Sequence, residues 1–547
     1  MATTTTDAPR QTLFLRNATG LVKAWSTFDA FLYAFWSVNL ITLGLYGMSF
    51  AYAIPDGQLL GAVLLTGVLV TFLVMTYAQL VSAMPRAGGD YAWQSRILGG
   101  GVGFVLSITG WWFTLWLWTP IYANILVAQF FSPLAYTLGW TGVANFFSSP
   151  GGVFTSCLIV LAFVSLVITM GMESYAKIQR FCFWLGMVGL AVMVGLLLFT
   201  SHSQFVTAFN KEAGQLFGAS GDSYAKTLAL GAKAGAGGIS FGHFGIGSTF
   251  LLLPFLAFYL LWPVWGATLY GEVRGAKEYR KVFSAMFWGL WVTVALVAVI
   301  ILLIVKTIGW DFYNAANGSY WNTLAGGATP PVSIWPYPVM FAGWLVGNHL
   351  FQALLIAVMG LWFFGWAGTL FLSSTRVIFA AAFDRVLPEW AANISARRRV
   401  PYGSLILMIV PSLIVSAIWA YRPSFQGIFL WATGVIAITF LGTVIAAAIM
   451  PWRRKDIFEN SPIARFRVAG IPVITITGVV SAIFLVFMLL EWSFNAVYGT
   501  SFSLNASSPI YFLVTYLVAI AIYVVARVVR KRQGIDLARI HREIPVE

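Results

Sequence analysis

Apolar residues run along the chain in twelve long blocks separated by short polar segments. The blocks fall at about 28–52, 58–83, 101–131, 152–171, 181–200, 249–271, 283–306, 346–381, 403–421, 427–450, 470–494 and 509–530. A helix needs about 20 mostly apolar residues to cross a bilayer, and several blocks exceed that, so tilt or continuation beyond the lipid is expected. The pattern predicts an all-α polytopic membrane protein with twelve transmembrane helices. The chain then divides into a tail (1–27), helices one to five (28–200), a glycine-rich exterior loop (201–248), helices six to ten (249–450), a basic loop (451–469), two last helices (470–530) and a second tail (531–547).

Composition agrees with that reading: 59% of the 547 residues are apolar and only 9% charged. A surface so apolar suits a lipid exterior and excludes an ordinary water-soluble domain. The net charge of +14 would suggest nucleic acid in a soluble protein, but the basic residues are scattered over inter-helix loops, which argues against that partner. All but five of the 32 Lys and Arg residues fall on one side of the predicted membrane, the five being Lys211, Lys226, Lys233, Lys306 and Arg422. The positive-inside rule then predicts both termini in the cytoplasm of a cell-membrane protein. The first 27 residues carry no continuous apolar stretch, so the first helix is expected to direct insertion.

Two long exterior segments differ in character. Residues 201–248 hold ten glycines from Gly214 to Gly247, which makes one rigid conformation entropically costly and predicts a mobile lid or a passive connector. Residues 307–345 carry Trp310, Tyr313, Tyr320, Trp321, Trp335 and Tyr337, which predict a structured loop anchored by its rings.

Chemistry must come from elsewhere than ionised side chains. Asp29, Asp90, Glu173, Glu272, Asp384 and Glu491 are all placed at helix ends, and no metalloprotease, hydrolase or Cys/His metal motif is present, so neither an enzyme nor a bound cofactor is expected. What remains is backbone exposed where a helix breaks. Pro263 and Gly266 lie near the centre of the sixth block, and Ser37, Asn39, Thr42, Gly44 and Gly47 lie at comparable depth in the first. Two interrupted helices five apart fit an inverted repeat, in which half-helix ends meet a substrate at the midplane.

Six stretches carry a family resemblance. Met84-Pro-Arg-Ala-Gly-Gly-Asp-Tyr-Ala-Trp93, followed by Gly99-Gly-Gly-Val-Gly-Phe104, resembles the P-x-x-G-G-x-Y signature of the amino acid-polyamine-organocation permeases. Asp29-Ala30, Gly171-Met-Glu-Ser-Tyr-Ala-Lys-Ile-Gln179, Thr268 with Glu272, Ser374-Thr-Arg376 through Asp384 to Pro388, and Arg465-Phe-Arg-Val-Ala-Gly470 are similar to further family segments in the same order. The resemblance implies a five-plus-five inverted repeat with interrupted helices 1 and 6, two additional C-terminal helices, and alternating access around a site lined by spans one, three, six and eight. It implies an amino acid or small amine-containing solute as substrate, moved by a secondary active transporter.

Departures from the family bear on the substrate. Where relatives have a glycine-rich break this chain has Trp36-Ser-Val-Asn-Leu-Ile41, and the family's central glycine and frequent acid in span six fall on Trp262 and Val264. The expected substrate-binding residues are therefore Ser37, Asn39, Thr42, Trp262, Pro263, Trp265 and Thr268, forming a pocket for something compact and partly apolar. A multiply charged amine would lack its counter-charge there. The lysine that some members place in span five falls on Gly186, leaving room for a coupling ion, either Na+ or H+, with Ser373 and Ser374 as candidate hydroxyl ligands for sodium. Arg376, Asp384 and Arg385 are expected to form an ion-pair cluster that acts as a cytoplasmic gate. The alternative reading is an exchanger or facilitator of a non-amino-acid solute; a channel or sensor fits less well. Beyond the small organic solute and membrane lipid no partner is indicated, and oligomeric state is not readable.

Overall fold

The computed structural model describes residues 21, 23–422, 425–427 and 431–543. Most of the predicted tail 1–27 therefore lies outside the described residues. Among the described residues, twelve helices are long and apolar enough to cross a membrane: Thr27–Ala53, Leu59–Ala83, Gly100–Thr137, Pro150–Thr169, Met172–Phe199, Ile246–Glu272, Tyr279–Ile308, His349–Phe383, Tyr402–Tyr421, a tenth whose regular part is Ala432–Arg453, Val473–Phe494 and Pro509–Arg532. These are called spans 1 to 12. The protein is thus an all-α, multi-pass membrane protein.

Burial orders the spans. The most apolar stretch of span 1 is 89% buried and that of span 6 is 78% buried, whereas span 12 is 17% buried. Spans 1 and 6 therefore lie at the centre beside span 10, which is 80% buried, and span 12 stands at the edge against span 3. Span 1 packs along span 7, and Gly289 permits the approach, since a Cβ there would lie 2.7 Å from Ala34 Cβ.

Both central spans are broken. Span 1 starts on a Ser26/Asp29 capping box and stops at Val38, because Asn39 adopts a left-handed φ of 43°. Its side chain holds that turn from both ends: Oδ1 accepts from Thr42 N–H at 2.9 Å and Nδ2 donates to Trp362 O at 2.9 Å. A π-turn, Leu40–Gly44, begins the second half. Span 6 is α-helical over Ile246–Leu260 and resumes as a 3-10 helix over Trp265–Glu272. Between them Pro263 has no N–H to offer Tyr259 O, so the ladder cannot continue.

The two long inter-helix segments are more ordered than the glycine content of the first implies. Residues 201–248 contain helices His202–Phe217 and Ser223–Lys233, the first opened by a Ser201/Gln204 capping box and closed by Gly218 at φ 67°, the second capped by Asp222. Phe205 and Phe209 bury against Phe312 and Phe341 of the second long segment. A lid that moves as loose chain is therefore replaced by two docked helices. In 307–345, helix Trp310–Leu324 buries Trp310 and Tyr313, and Trp335 and Tyr337 are buried just before helix Pro338–Trp344. Span 5 also differs from its predicted limits: it begins at Met172, well before 181. Glu173, Lys177 and Arg180 lower the local hydropathy without interrupting the helix.

Candidate functional site

A small cavity of about 20 Å³ lies between the two breaks. Ser37 and Leu43 of span 1 flank Asn39, and Trp262 and Trp265 of span 6 flank Pro263; all four line the cavity. Span 3 supplies Leu115, Trp118 and Tyr122, and span 8 supplies Trp366, Thr369 and Leu370. None of these residues is charged. The walls interlock: the Tyr122 and Trp366 rings stack with centroids 3.5 Å apart, and Trp262 meets Trp118 edge-on at 6.0 Å and Trp265 at 5.4 Å. Polar atoms are few. Ser37 Oγ donates to Tyr33 O at 2.7 Å, Tyr122 Oη lies 3.5 Å from Thr369 Oγ1, and Trp118 Nε1 is buried with no partner among the described residues.

Three polar layers separate this cavity from the face that carries the basic loops. Nearest is a set of neutral oxygens: Ser373 Oγ donates to Trp265 O at 2.9 Å and lies 2.8 Å from Tyr33 Oη, while Trp265 Nε1 donates to Thr369 O at 3.0 Å. Next, Arg376 forms a two-pronged pair with Glu272, Nε to Oε1 at 2.7 Å and Nη2 to Oε2 at 3.1 Å, with both side chains buried. Outermost, Arg96 grips Asp384 at 2.5 and 2.9 Å, and Tyr91 Oη donates to the same carboxylate at 3.0 Å. Burial and paired hydrogen bonding make such pairs strongly dependent on both partners.

The expected gate cluster is accordingly divided. Arg376 and Asp384 do not pair with each other; each is held by a carboxylate or guanidinium from a different segment, Glu272 and Arg96. Arg385 takes a left-handed φ of 65° as the helix ends, and its carbonyl accepts from Arg530 at 2.8 Å. Of the two serines, Ser373 alone reaches neighbouring spans, since Ser374 Oγ donates to Phe371 O of its own helix at 3.0 Å. The oxygens around Ser373 are uncharged, a set that suits a hard monovalent cation better than a transition metal.

The structure gathers three of the seven expected substrate residues, Ser37, Trp262 and Trp265, on the cavity wall. Pro263 and Asn39 shape the two breaks behind it. Thr42 Oγ1 is buried with no partner among the described residues, and Thr42 O accepts from Gln129 at 2.8 Å. Thr268 sits at a different place: its carbonyl accepts from Gly88 N–H at 2.9 Å, and its backbone lies against Gly89. Those two glycines, at φ 88° and 34°, let the Pro85–Asp90 turn press onto span 6, which a Cβ would prevent.

The cavity-lining residues of spans 3 and 8 are neither breakers nor charged, so nothing in composition marks them. Their spacing does: 115, 118 and 122, and 366, 369 and 370, each fall on one helical face. Asp90 also gains a role hidden in the sequence. It is fully buried, accepts from Tyr77 at 2.6 Å and Trp111 at 3.1 Å as well as from Thr443, and the Trp111 ring lies 4.3 Å from Trp265. Burial raises its carboxyl to about 6, against the pull of those donors.

A twelve-span bundle with an aromatic cavity between two broken central helices has the architecture of a membrane transporter of small solutes. The chain belongs to the amino acid permease family, whose model matches residues 26–522. It is 22% identical over 473 residues to the Branched-chain amino acid permease BcaP of Lactococcus lactis subsp. cremoris (strain MG1363), covering 84% of this chain and 85% of that one.

Proposed function

We propose that the protein is a secondary active transporter that moves an amino acid with a compact apolar side chain across the cytoplasmic membrane by alternating access. The observation that carries this reading is the uncharged, ring-walled cavity lying between Asn39 and Pro263. In it the start of the second half of span 1 offers the amides of Leu40 and Ile41 to a carboxylate. The carbonyl left free at Tyr259 by Pro263 can meet an ammonium group. Trp118, Trp262, Trp265 and Trp366 then enclose the side chain, and the lack of a lining acid disfavours a second positive charge. The relative is named a branched-chain amino acid permease, which supports that substrate class here.

The five-plus-five repeat, with both termini cytoplasmic, belongs to this proposal and is supported by the paired breaks and by the one-sided distribution of basic residues. So does coupling to Na+ or H+. Ser373, Tyr33, Trp265 and Thr369 would hold a sodium ion, whose contribution is a gradient that drives uptake.

Uptake into proteoliposomes tests the reading. Saturable accumulation of leucine, isoleucine or valine that depends on a sodium or proton gradient is expected, and Trp265→Phe, which deletes the donor to Thr369 O, should raise KM about tenfold, equivalent to ~1.4 kcal/mol. Uptake indifferent to both gradients removes the coupling. Transport of another solute with no amino acid uptake would favour an exchanger or facilitator instead.

A further inference from the structure

On the face that carries the basic loops, away from the cavity, the beginning of span 3, the end of span 10, the end of span 12 and the second tail meet around an open polar depression. Its walls include Arg96, Arg453, Arg454, Arg527 and Arg542, against a single lining acid, Asp456. Two of the five guanidinium groups are neutralised locally, Arg96 by Asp384 and Arg454 by Asp456, which it grips at 2.9 and 2.8 Å. Arg453, Arg527 and Arg542 have no carboxylate partner among the described residues, and all three are exposed. The tail completes the depression because His541 is buried in it, with the ring against Gly100 and 3.2 Å from Tyr91 Oη.

An apolar groove continues from the depression toward the middle of the membrane. It runs between spans 3 and 12, walled by Gly101, Val102, Val105, Ile520, Tyr523 and Val524, and Tyr523 lines both. Gly101 keeps it open on one side, where a Cβ would stand 3.0 Å from the Tyr523 ring. Ile520 lies seven residues before Arg527, so at 1.5 Å per residue the groove reaches about 10 Å below the arginines. Trp452, 62% exposed beside Arg453, marks the level of the headgroups, where indoles favour the interface.

We propose that this depression and groove together bind one anionic phospholipid, the phosphate among Arg453, Arg527 and Arg542 and an acyl chain along Val102, Ile520 and Val524. Planar guanidinium groups suit phosphate oxygens two at a time, and three unpaired positive charges beside lipid select an anionic headgroup over a zwitterionic one. A soluble anion would use the arginines and leave the groove without a function. Occupancy would staple the edge span 12 and the second tail to span 3. This inference does not depend on what the cavity transports.

The test uses the purified full-length protein in detergent, titrated with phosphatidylglycerol, phosphatidylcholine or inorganic phosphate, with bound lipid counted by native mass spectrometry and stability read by thermal shift. Phosphatidylglycerol should bind at least fivefold more than phosphatidylcholine. Arg453→Gln/Arg527→Gln/Arg542→Gln should abolish that preference, and Val524→Trp, which fills the groove with the arginines intact, should reduce binding at least fivefold. The charge-matched control Lys277→Gln/Arg280→Gln/Arg397→Gln, on loops elsewhere on the same face, should retain it. Equal loss in the control, absence of a headgroup preference, or stabilisation by inorganic phosphate that survives Val524→Trp would each overturn the proposal.

Discussion

Asp90 and Trp265 show how single side chains near the cavity serve several contacts at once. Trp265 lines the cavity with its ring, ties span 8 through Nε1, and gives its carbonyl to Ser373. Its neighbour Trp111 donates to Asp90, so the cavity wall connects in two contacts to a buried carboxyl held near 6. The sign of the pH effect follows. The ordinary value is 3.8, so between about pH 4 and 6 the folded protein holds a proton that the unfolded chain releases. Stability must therefore fall as pH rises through that window and level off above it, by on the order of 3 kcal/mol for a shift of roughly two units. Thermal unfolding of the detergent-solubilised protein from pH 4 to 7 should show this decline, and Asp90→Asn should flatten it whatever the variant's overall stability. A slope unchanged in Asp90→Asn would assign the effect to another group.

The elements that matter most are those that stop. Span 1 breaks because asparagine tolerates the left-handed region and because its amide closes the turn on both sides, to Thr42 N–H and Trp362 O. Asn39→Gly keeps the backbone and loses the two bonds; Asn39→Ala loses the bonds and adds left-handed strain of about 1–2 kcal/mol. Chemical unfolding should rank wild type above glycine and glycine above alanine, and uptake should fall in the same order; alanine equal to glycine would mean that φ at this position is unimportant. Much of this was legible in the chain: the twelve apolar blocks, the two breaks, and the indoles at 262 and 265 beside proline. The helices at 202–217 and 223–233 were not, because the many glycines of this segment mask the Ser201/Gln204 and Asp222 caps that start them. Thr268 and the ion pairs were misplaced for a different reason: Arg376 and Asp384 are eight residues apart, and only tertiary packing brings Glu272 to one and Arg96 to the other.

Across the whole molecule, the cavity is shut from the basic face by layers that join different segments. Arg376–Glu272 ties span 8 to span 6, Arg180–Asp29 ties span 5 to span 1 at 2.6 Å, and Arg96–Asp384 ties the segment before span 3 to the end of span 8. A transporter that alternates must release such contacts, so weakening one should shift the population toward opening on that face. Single substitutions would strand a buried charge at a cost of about 3–5 kcal/mol, which confuses gating with unfolding. Neutralising both partners, Arg376→Gln with Glu272→Gln, leaves no unpaired charge. Ser37→Cys reports from the cavity wall, in a chain whose buried Cys157 and Cys182 are first replaced by alanine. In inside-out vesicles, the double neutralisation should raise labelling of Ser37→Cys by a membrane-impermeant thiol reagent about tenfold, corresponding to ~1.4 kcal/mol of shifted equilibrium. Unchanged labelling from that face, with labelling from the opposite face also unchanged, would show that the Arg376–Glu272 pair holds the fold together without gating it.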